Sequence, residues 1–325
     1  MTKPVVFIAR PLPETAARCI ESVATIRQHP GPMPPSREEL LRGVDGCAGI
    51  LSLLSDRIDG EVCEAAGESL RVVANFAVGF NNIDVPELQR RGIQIGNTPD
   101  VLTDATADTA VALLLAAARK LPSSIGDVQA GRWKTWEPLG WLGLSLGNPE
   151  HPKTLGIVGM GRIGLAVANR LRGGWGMNVV YTSRSEKPEA EAMGATRVSL
   201  DELLATSDFV SLHTPLTEAT THLIGHEELS KMKPNAVLVN TSRGEVIDQN
   251  ALCEALRERQ IFAAGLDVCT PEPLPADDPL LALENCIVLP HIGSATVDAR
   301  DAMAERAASN IVAGVVGEPL PFSVV

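Results

Sequence analysis

Aromatic side chains are scarce, at 3% of the 325 residues, and three of the four tryptophans fall together at Trp133, Trp136 and Trp141. Basic charge is also short: the formal net charge is −12. Nucleic acid and anionic membrane surfaces both call for basic patches, so no partner of either kind is expected. Neither a CxxC pair nor a disulfide-scaffold spacing occurs among Cys19, Cys47, Cys63, Cys253, Cys269 and Cys286. Small buried thiols in a reducing cytosol are expected instead, with packing as the role of Cys269 too. Long apolar runs are missing. Val5 to Ala9 is stopped by Arg10 and Pro11, too soon for a signal core, and Val111 to Ala118 is well under membrane-spanning length. The expectation is a cytoplasmic protein without a membrane segment. Low-complexity tracts are lacking, and little chain follows the last helical pattern, so neither a long disordered extension nor an appended regulatory domain is expected.

What is present is an ordered series of motifs. The first is Gly159-Met160-Gly161-Arg162-Ile163-Gly164. It follows the apolar run Leu155-Gly156-Ile157-Val158, which reads as a buried parallel strand. It precedes Arg162 to Leu171, which reads as a helix with Ile163, Val167 and Leu171 on one stripe. Strand, tight turn and helix give each glycine a task. Gly159 permits the turn, Gly161 lets the backbone approach a pyrophosphate, and Gly164 allows close helix packing, while free amides at the helix start attract the anion.

Cofactor choice is read one strand later. In the NAD form of this unit an acidic residue about 20 residues past the glycines accepts hydrogen bonds from the ribose hydroxyls, whereas an arginine there accommodates a 2′-phosphate. Here Asn178 to Tyr181 runs into Thr182-Ser183-Arg184-Ser185 with no acid at the strand end. NADPH is therefore the expected cofactor, with NADH weaker. Ser183 and Ser185 would donate hydrogen bonds to the phosphate, and Arg184 would pair with it or stack on the adenine.

The length suggests two domains. Short apolar runs at Val5 to Ala9, Ala48 to Leu53, Val72 to Ala74 and Ile93 to Ile95 alternate with helical stretches, which predicts a first parallel-sheet domain. The Ala/Leu-rich helix Thr103 to Lys120 ends before Leu121-Pro122 and carries the crossover. Strands near 155–158, 178–181, 209–212, 236–239, 263–266 and 286–289 then predict a second sheet, and a final helix, Val297 to Val315, returns to the first domain. The fold class is α/β: two doubly wound parallel-sheet domains separated by a cleft. Residues 102–294 would form a Rossmann dinucleotide-binding domain. Residues 1–101 with 295–325 would form a flavodoxin-like substrate domain.

Three more motifs carry reactive groups: Thr241-Ser242-Arg243-Gly244, Asp267-Val268-Cys269-Thr270-Pro271-Glu272-Pro273 and Pro290-His291-Ile292-Gly293-Ser294. Each follows a strand, so Arg243, Glu272 and His291 all lie at carboxyl ends, where open α/β sheets bind ligands. The planar fork of Arg243 would clamp a keto acid and polarise its carbonyl. His291 would exchange a proton with the oxygen that becomes an alkoxide. An anionic Glu272 beside it would favour the imidazolium and keep a proton donor available near neutral pH. His222 and His226 are four apart, but Gly225 lies between them and no glutamate accompanies them in a ligand position, so no metal is expected.

The glycine motif, Val239 to Gly244, Gly265-Leu266-Asp267 with Glu272-Pro273, and Pro290 to Thr296 together resemble the D-isomer-specific 2-hydroxyacid dehydrogenase family, most of all its glyoxylate and hydroxypyruvate reductases. The likeness runs from about Val72 to Pro321. It implies that Arg243, Glu272 and His291 are catalytic. It implies cofactor contacts at Arg162, Ile163, Thr214, Pro215, Thr241, Asp267, Gly293 and Ser294, with a structural His213 nearby. The amides of Val78 and Gly79 would bind the substrate carboxylate, and Leu53, Leu54 and Ser55 would wall the pocket. The family is dimeric, and a tryptophan from the neighbouring subunit would close the pocket; Trp141 is the candidate, with Trp136 close behind. Asn81-Asn82 stands where many members have an Asp, Gly140 looks inserted beside Trp141, and Leu146 to Lys153 lacks the usual glycine before lysine. The activity implied is NADPH-dependent reduction of small 2-keto acids. 2-Ketogluconate reduction, or a non-catalytic dinucleotide-sensing protein like the family's corepressors, is the alternative.

Overall fold

A computed structural model describes residues 3–148 and 150–324. The chain forms two compact units, residues 1–102 with 295–325 and residues 103–294.

In the first unit the apolar runs become β1 (Val5–Ile8), β3 (Gly49–Ser52), β4 (Val72–Asn75) and β5 (Gln94–Gly96). A fifth strand, β2 (Thr25–Gln28), escapes sequence reading because its residues Thr-Ile-Arg-Gln show no apolar run and it pairs on one side only, as an edge. All pairings are parallel, in the order β2-β1-β3-β4-β5. That is the flavodoxin-like order. The helices are α1 (Glu14–Glu21), α2 (Arg37–Val44), α3 (Gly60–Ala66) and α4 (Val85–Arg90). Three of these begin on side-chain caps, Ser36, Asp59 and Asp84, which take amides of the first turn.

The second unit opens with α5 (Thr103–Ala118) and α6 (Leu121–Gln129), whose Pro122 sits in a first turn where no amide is needed. The stretch before the glycine motif folds into a small antiparallel hairpin, β6 (Gly147–Asn148) and β7 (His151–Pro152); Pro149 lies outside the described residues. Next come β8 (Thr154–Val158), α7 (Arg162–Trp175), β9 (Asn178–Thr182), α8 (Pro188–Ala192), β10 (Thr196–Arg197), α9 (Leu200–Thr206) and β11 (Phe209–Leu212). The unit is completed by α10 (His226–Lys231), β12 (Val237–Asn240), α11 (Gln249–Arg257), β13 (Ala263–Leu266) and β14 (Cys286–Val288). The parallel sheet runs β10-β9-β8-β11-β12-β13-β14. Its order reverses beside β8, the topological switch point of a Rossmann domain. Leu155, Ile157, Val237 and Val239 bury against α5 and α7 on one face, while Leu212, Leu238 and Leu266 bury against the helices on the other.

The final helix, α12 (Val297–Val316), starts on the cap Thr296 and packs on α1, β3 and β4 of the first unit. Among the described residues no helix is long and apolar enough to cross a membrane.

Candidate active site

Along the carboxyl edge of the second sheet the candidate residues stand in a row. Ser183 and Arg184 follow β9, Gly159 follows β8, Thr214 follows β11, Thr241 to Arg243 follow β12, Asp267 to Glu272 follow β13, and His291 follows β14.

Asn240, fully buried at the end of β12, shapes the arginine turn. Its Oδ1 accepts from the Ser242 amide at 3.0 Å and the Ser242 hydroxyl at 2.8 Å, and its Nδ2 donates to the Arg243 carbonyl at 2.8 Å. Arg243 leaves this turn half-buried, with Nη1 donating to the Ser242 carbonyl at 2.6 Å. Burial pulls its pKa down, and the charges of Glu272 and Glu245 oppose that pull; a guanidinium is a cation at neutral pH. The next residue must be glycine. A Cβ on Gly244 would lie 2.1 Å from the Cys269 carbonyl oxygen, so the arginine turn and the loop bearing Glu272 touch only because that atom is missing.

Glu272 uses both oxygens. Oε1 accepts from the Cys269 amide at 3.1 Å, and Oε2 lies 2.8 Å from Nδ1 of His291. Burial raises the Glu272 pKa, but the His291 hydrogen bond and charge, the Cys269 amide and Arg243 outweigh it, and the net shift is downward. A carboxylate only accepts, so the imidazole proton is assigned to Nδ1 and Nε2 is the atom left for chemistry. Burial lifts the Cys269 thiol to about 11, which keeps it protonated and unreactive.

His291 has a positive φ of 56°, uncommon for a residue with a side chain. Asp267 holds that backbone in place: Oδ1 accepts from the Ile292 amide and Oδ2 from the Gly293 amide, both at 2.7 Å. This side chain is 1% exposed. Burial raises its pKa while the two amides and His291 work the other way. Ser294 ends the unit one residue later.

The glycine turn has the shape a dinucleotide requires. Gly159 has φ 97°, and a Cβ there would meet the His213 carbonyl and the Thr214 amide at 2.7–2.8 Å. A Cβ on Gly164 would meet the Gly159 carbonyl oxygen at 2.4 Å. Gly161 is the N-cap of α7 and faces open space, and no side chain caps that helix; Arg162 and Ile163 form its first turn. The first amides of a helix have no partner inside it and favour an anion. At the neighbouring strand ends the buried hydroxyls of Thr214, next to Pro215, and of Thr241 have no hydrogen-bond partner among the described residues. Orphaned buried hydroxyls at a glycine cradle fit a nicotinamide dinucleotide. His213 has its Nε2 2.9 Å from the Ser211 hydroxyl, and removal from water holds its pKa down at about 3, so it is neutral near pH 7.

Past β9, Ser183 donates its hydroxyl to the Ser185 carbonyl, and Arg184 is exposed. The sequence gives no hint of what braces this loop. Arg197, on the adjacent β10, donates to the Ser183 carbonyl at 2.9 and 3.2 Å and to the Arg184 carbonyl at 3.3 Å. Only the pairing of two short strands brings it there.

Trp141 is tied to its own chain, its indole N–H donating to Asp127 Oδ2 at 2.6 Å, whereas Trp136 is 79% exposed. His226 pairs with Glu254 at 3.8 Å, and among the described residues no three His, Cys, Asp or Glu side chains gather as metal ligands would.

In the first unit, Leu53, Leu54 and Ser55 follow β3, and Val78 and Gly79 follow β4. Ser55 accepts from buried Arg10 at 2.7 Å, and Arg10 also faces Asp56 at 3.4 Å. Asn82 has a structural role. Its Nδ2 donates to the carbonyls of Leu53 at 3.0 Å and Asp56 at 2.9 Å, tying the two loops together.

Residues 111–293 match the family description "D-isomer specific 2-hydroxyacid dehydrogenase, NAD binding domain". A glyoxylate reductase of Korarchaeum cryptofilum is 49% identical over 321 residues, 98% of this chain and 95% of its own length. A solved protein of Thermus thermophilus superposes with a TM-score of 0.91 at 45% identity, covering 99% of this chain and 100% of its own. An NADPH-dependent glyoxylate/hydroxypyruvate reductase of Sinorhizobium meliloti, solved with NADP and malonate, superposes with a TM-score of 0.84 at 30% identity, covering 100% of this chain and 97% of its own. The chain belongs to the D-isomer specific 2-hydroxyacid dehydrogenase family.

Proposed function

We propose that this chain is an NADP-preferring reductase of small 2-keto acids, converting glyoxylate to glycolate and hydroxypyruvate to D-glycerate. The observation that carries the reading is the Glu272–His291 pair at 2.8 Å, on the same row of strand ends as Arg243. When bound, NADPH supplies a hydride to the carbonyl carbon. Arg243 binds the substrate and polarises the carbonyl, drawing charge toward its oxygen. His291 delivers a proton from Nε2 to that oxygen, and Glu272 stabilises the charged imidazole beforehand. Asp267 keeps the histidine backbone in its left-handed conformation.

Residues 102–294 serve as the dinucleotide domain in this reading, and residues 1–101 with 295–325 as the substrate domain, with the Val78 and Gly79 amides taking the carboxylate and Leu54 and Ser55 beside them. The similarity to an NADPH-dependent reductase solved with NADP supports the cofactor preference, as do Arg184, Ser183 and Ser185 at a strand end without an acid. The protein acts as a cytoplasmic homodimer. Support for self-association comes from Leu121, Ile125, Val128, Trp136, Leu139 and Leu142, all exposed by 47–82% within one short stretch of chain.

The test is the initial rate of NADPH and, separately, NADH consumption against glyoxylate, hydroxypyruvate, 2-ketogluconate and 3-phosphohydroxypyruvate. Fast turnover of the two small acids with NADPH is expected. Silence with all four, in protein that binds the dinucleotide, would overturn the reading.

A further inference from the structure

The first unit holds a buried set of asparagine amides whose purpose the fold alone does not explain. Asn75, at the end of β4, is fully buried; its Nδ2 donates to the Gly79 carbonyl at 2.8 Å and to Asn82 Oδ1 at 3.0 Å, and its Oδ1 accepts from the Ser52 hydroxyl at 3.0 Å. Asn97, just past β5, donates from Nδ2 to the Val78 carbonyl at 2.8 Å, and the Thr98 amide donates to the Ala77 carbonyl at 2.9 Å. Asn97 is itself fixed: its carbonyl accepts from Asn310 of α12 at 3.0 Å, and its amide donates to the Phe322 carbonyl at 3.2 Å.

Three consecutive carbonyls, those of Ala77, Val78 and Gly79, are thus each held by a donor from outside the turn. A trans peptide points its N–H opposite to its C=O. Anchoring the Ala77 carbonyl therefore fixes the Val78 amide, and anchoring the Val78 carbonyl fixes the Gly79 amide. The amides of these two half-buried residues, Val78 and Gly79, donate to no acceptor among the described residues. Leaving donors unpaired costs free energy unless a ligand or water takes them. A turn that spends three outside donors on its carbonyls while leaving its own amides open is built to present those amides.

We infer that Asn97 is a positioning residue for substrate binding: by holding the Val78 carbonyl it aims the Gly79 amide at the keto acid's carboxylate, with Asn75 and Asn82 bracing the turn behind it. The inference rests on the proposed function and deepens it, since it says how this chain selects an acid over an uncharged carbonyl compound. Asn97 touches neither substrate nor cofactor in this reading. It acts through the Val78–Gly79 peptide.

The test replaces Asn97 in the full chain by Asp, which keeps the shape but adds a charge, and by Ala, which removes the donor without one, and measures for both variants kcat and KM for hydroxypyruvate, the inhibition constant of oxamate, and NADPH binding by fluorescence. The KM and the oxamate constant should both rise about tenfold or more, with kcat held within about threefold and NADPH binding unchanged, because a carboxylate hydrogen bond made equally in ground and transition states has been weakened. Asn75→Asp should move the same two constants in the same direction, and it decides the matter if Asn97→Asp shows no cooperative melt. Unchanged KM and oxamate constants in a folded variant would overturn the inference, as would a fall in kcat alone or a parallel loss of NADPH binding. If the unaltered protein reduces neither small acid, the proposed function fails first and takes this inference with it; if it reduces both and Asn97→Asp matches it, only the inference fails.

Discussion

Nδ1 of His291 lies 2.8 Å from Oε2 of Glu272, while the other Glu272 oxygen takes the Cys269 amide. Both carboxylate oxygens are thus engaged, and the imidazole is held at Nδ1. Replacing Glu272 by Gln should lower kcat for keto-acid reduction by roughly 10- to 100-fold, and His291→Ala by about 100-fold or more, each with NADPH affinity nearly intact. Steady-state rates with a fluorescence titration of NADPH check both. Near-normal turnover in His291→Ala would remove it from the mechanism.

Gly244→Ala places a methyl group 2.1 Å from a backbone oxygen that cannot swing aside, that of Cys269. The arginine turn and the glutamate loop must separate. A stability loss of about 1–3 kcal/mol is expected, the usual cost of overpacking, together with a fall in kcat/KM larger than any change in NADPH affinity. Thermal melts and kinetics on one preparation decide; unchanged kcat/KM in a destabilised variant would mean that the contact serves folding alone.

Arg184→Ala should weaken NADPH by about tenfold and NADH far less, because only NADPH carries the 2′-phosphate. Arg197→Ala should reproduce part of that discrimination through the loop carbonyls it holds. Equal losses for the two cofactors would refute phosphate recognition at this loop.

His213 adds a pH dependence with a definite sign. Its pKa is held at about 3 in the fold against an ordinary 6.5. Above about pH 6.5 both folded and unfolded chains leave it neutral; below that only the unfolded chain takes up the proton, so stability falls with pH through this window until about pH 3. His213→Gln should flatten the decline in melting temperature between about pH 6.5 and pH 4. Parallel melting curves for the two proteins would show that His213 does not contribute.

The alternation of strands and helices, and the placement of the candidate residues after strands, are legible in the sequence because both are local. Leu155 to Gly164 carries its own strand, turn and helix signals, and Arg243, Glu272 and His291 each lie in the loop that follows a recognisable apolar run. What is not legible depends on neighbours far away in the chain. Polar edge strand β2 is defined by its partner β1. Arg197 reaches the Ser183 loop only because β10 pairs with β9, and Gly244 is obligatory only because Cys269 arrives beside it. Asn75, Asn82 and Asn97 look like ordinary turn residues until the carbonyls they hold are known.

The row of strand ends separates the two proposed jobs by distance. Between β9, which carries the Ser183–Arg184 loop, and β14, which precedes His291, lie five inter-strand steps, roughly 24 Å at the usual sheet spacing. Substitutions so far apart with no shared partner combine additively. Under the proposed function, the choice between two electron carriers could therefore be redesigned near one margin of the sheet while proton transfer at the other stays as it is.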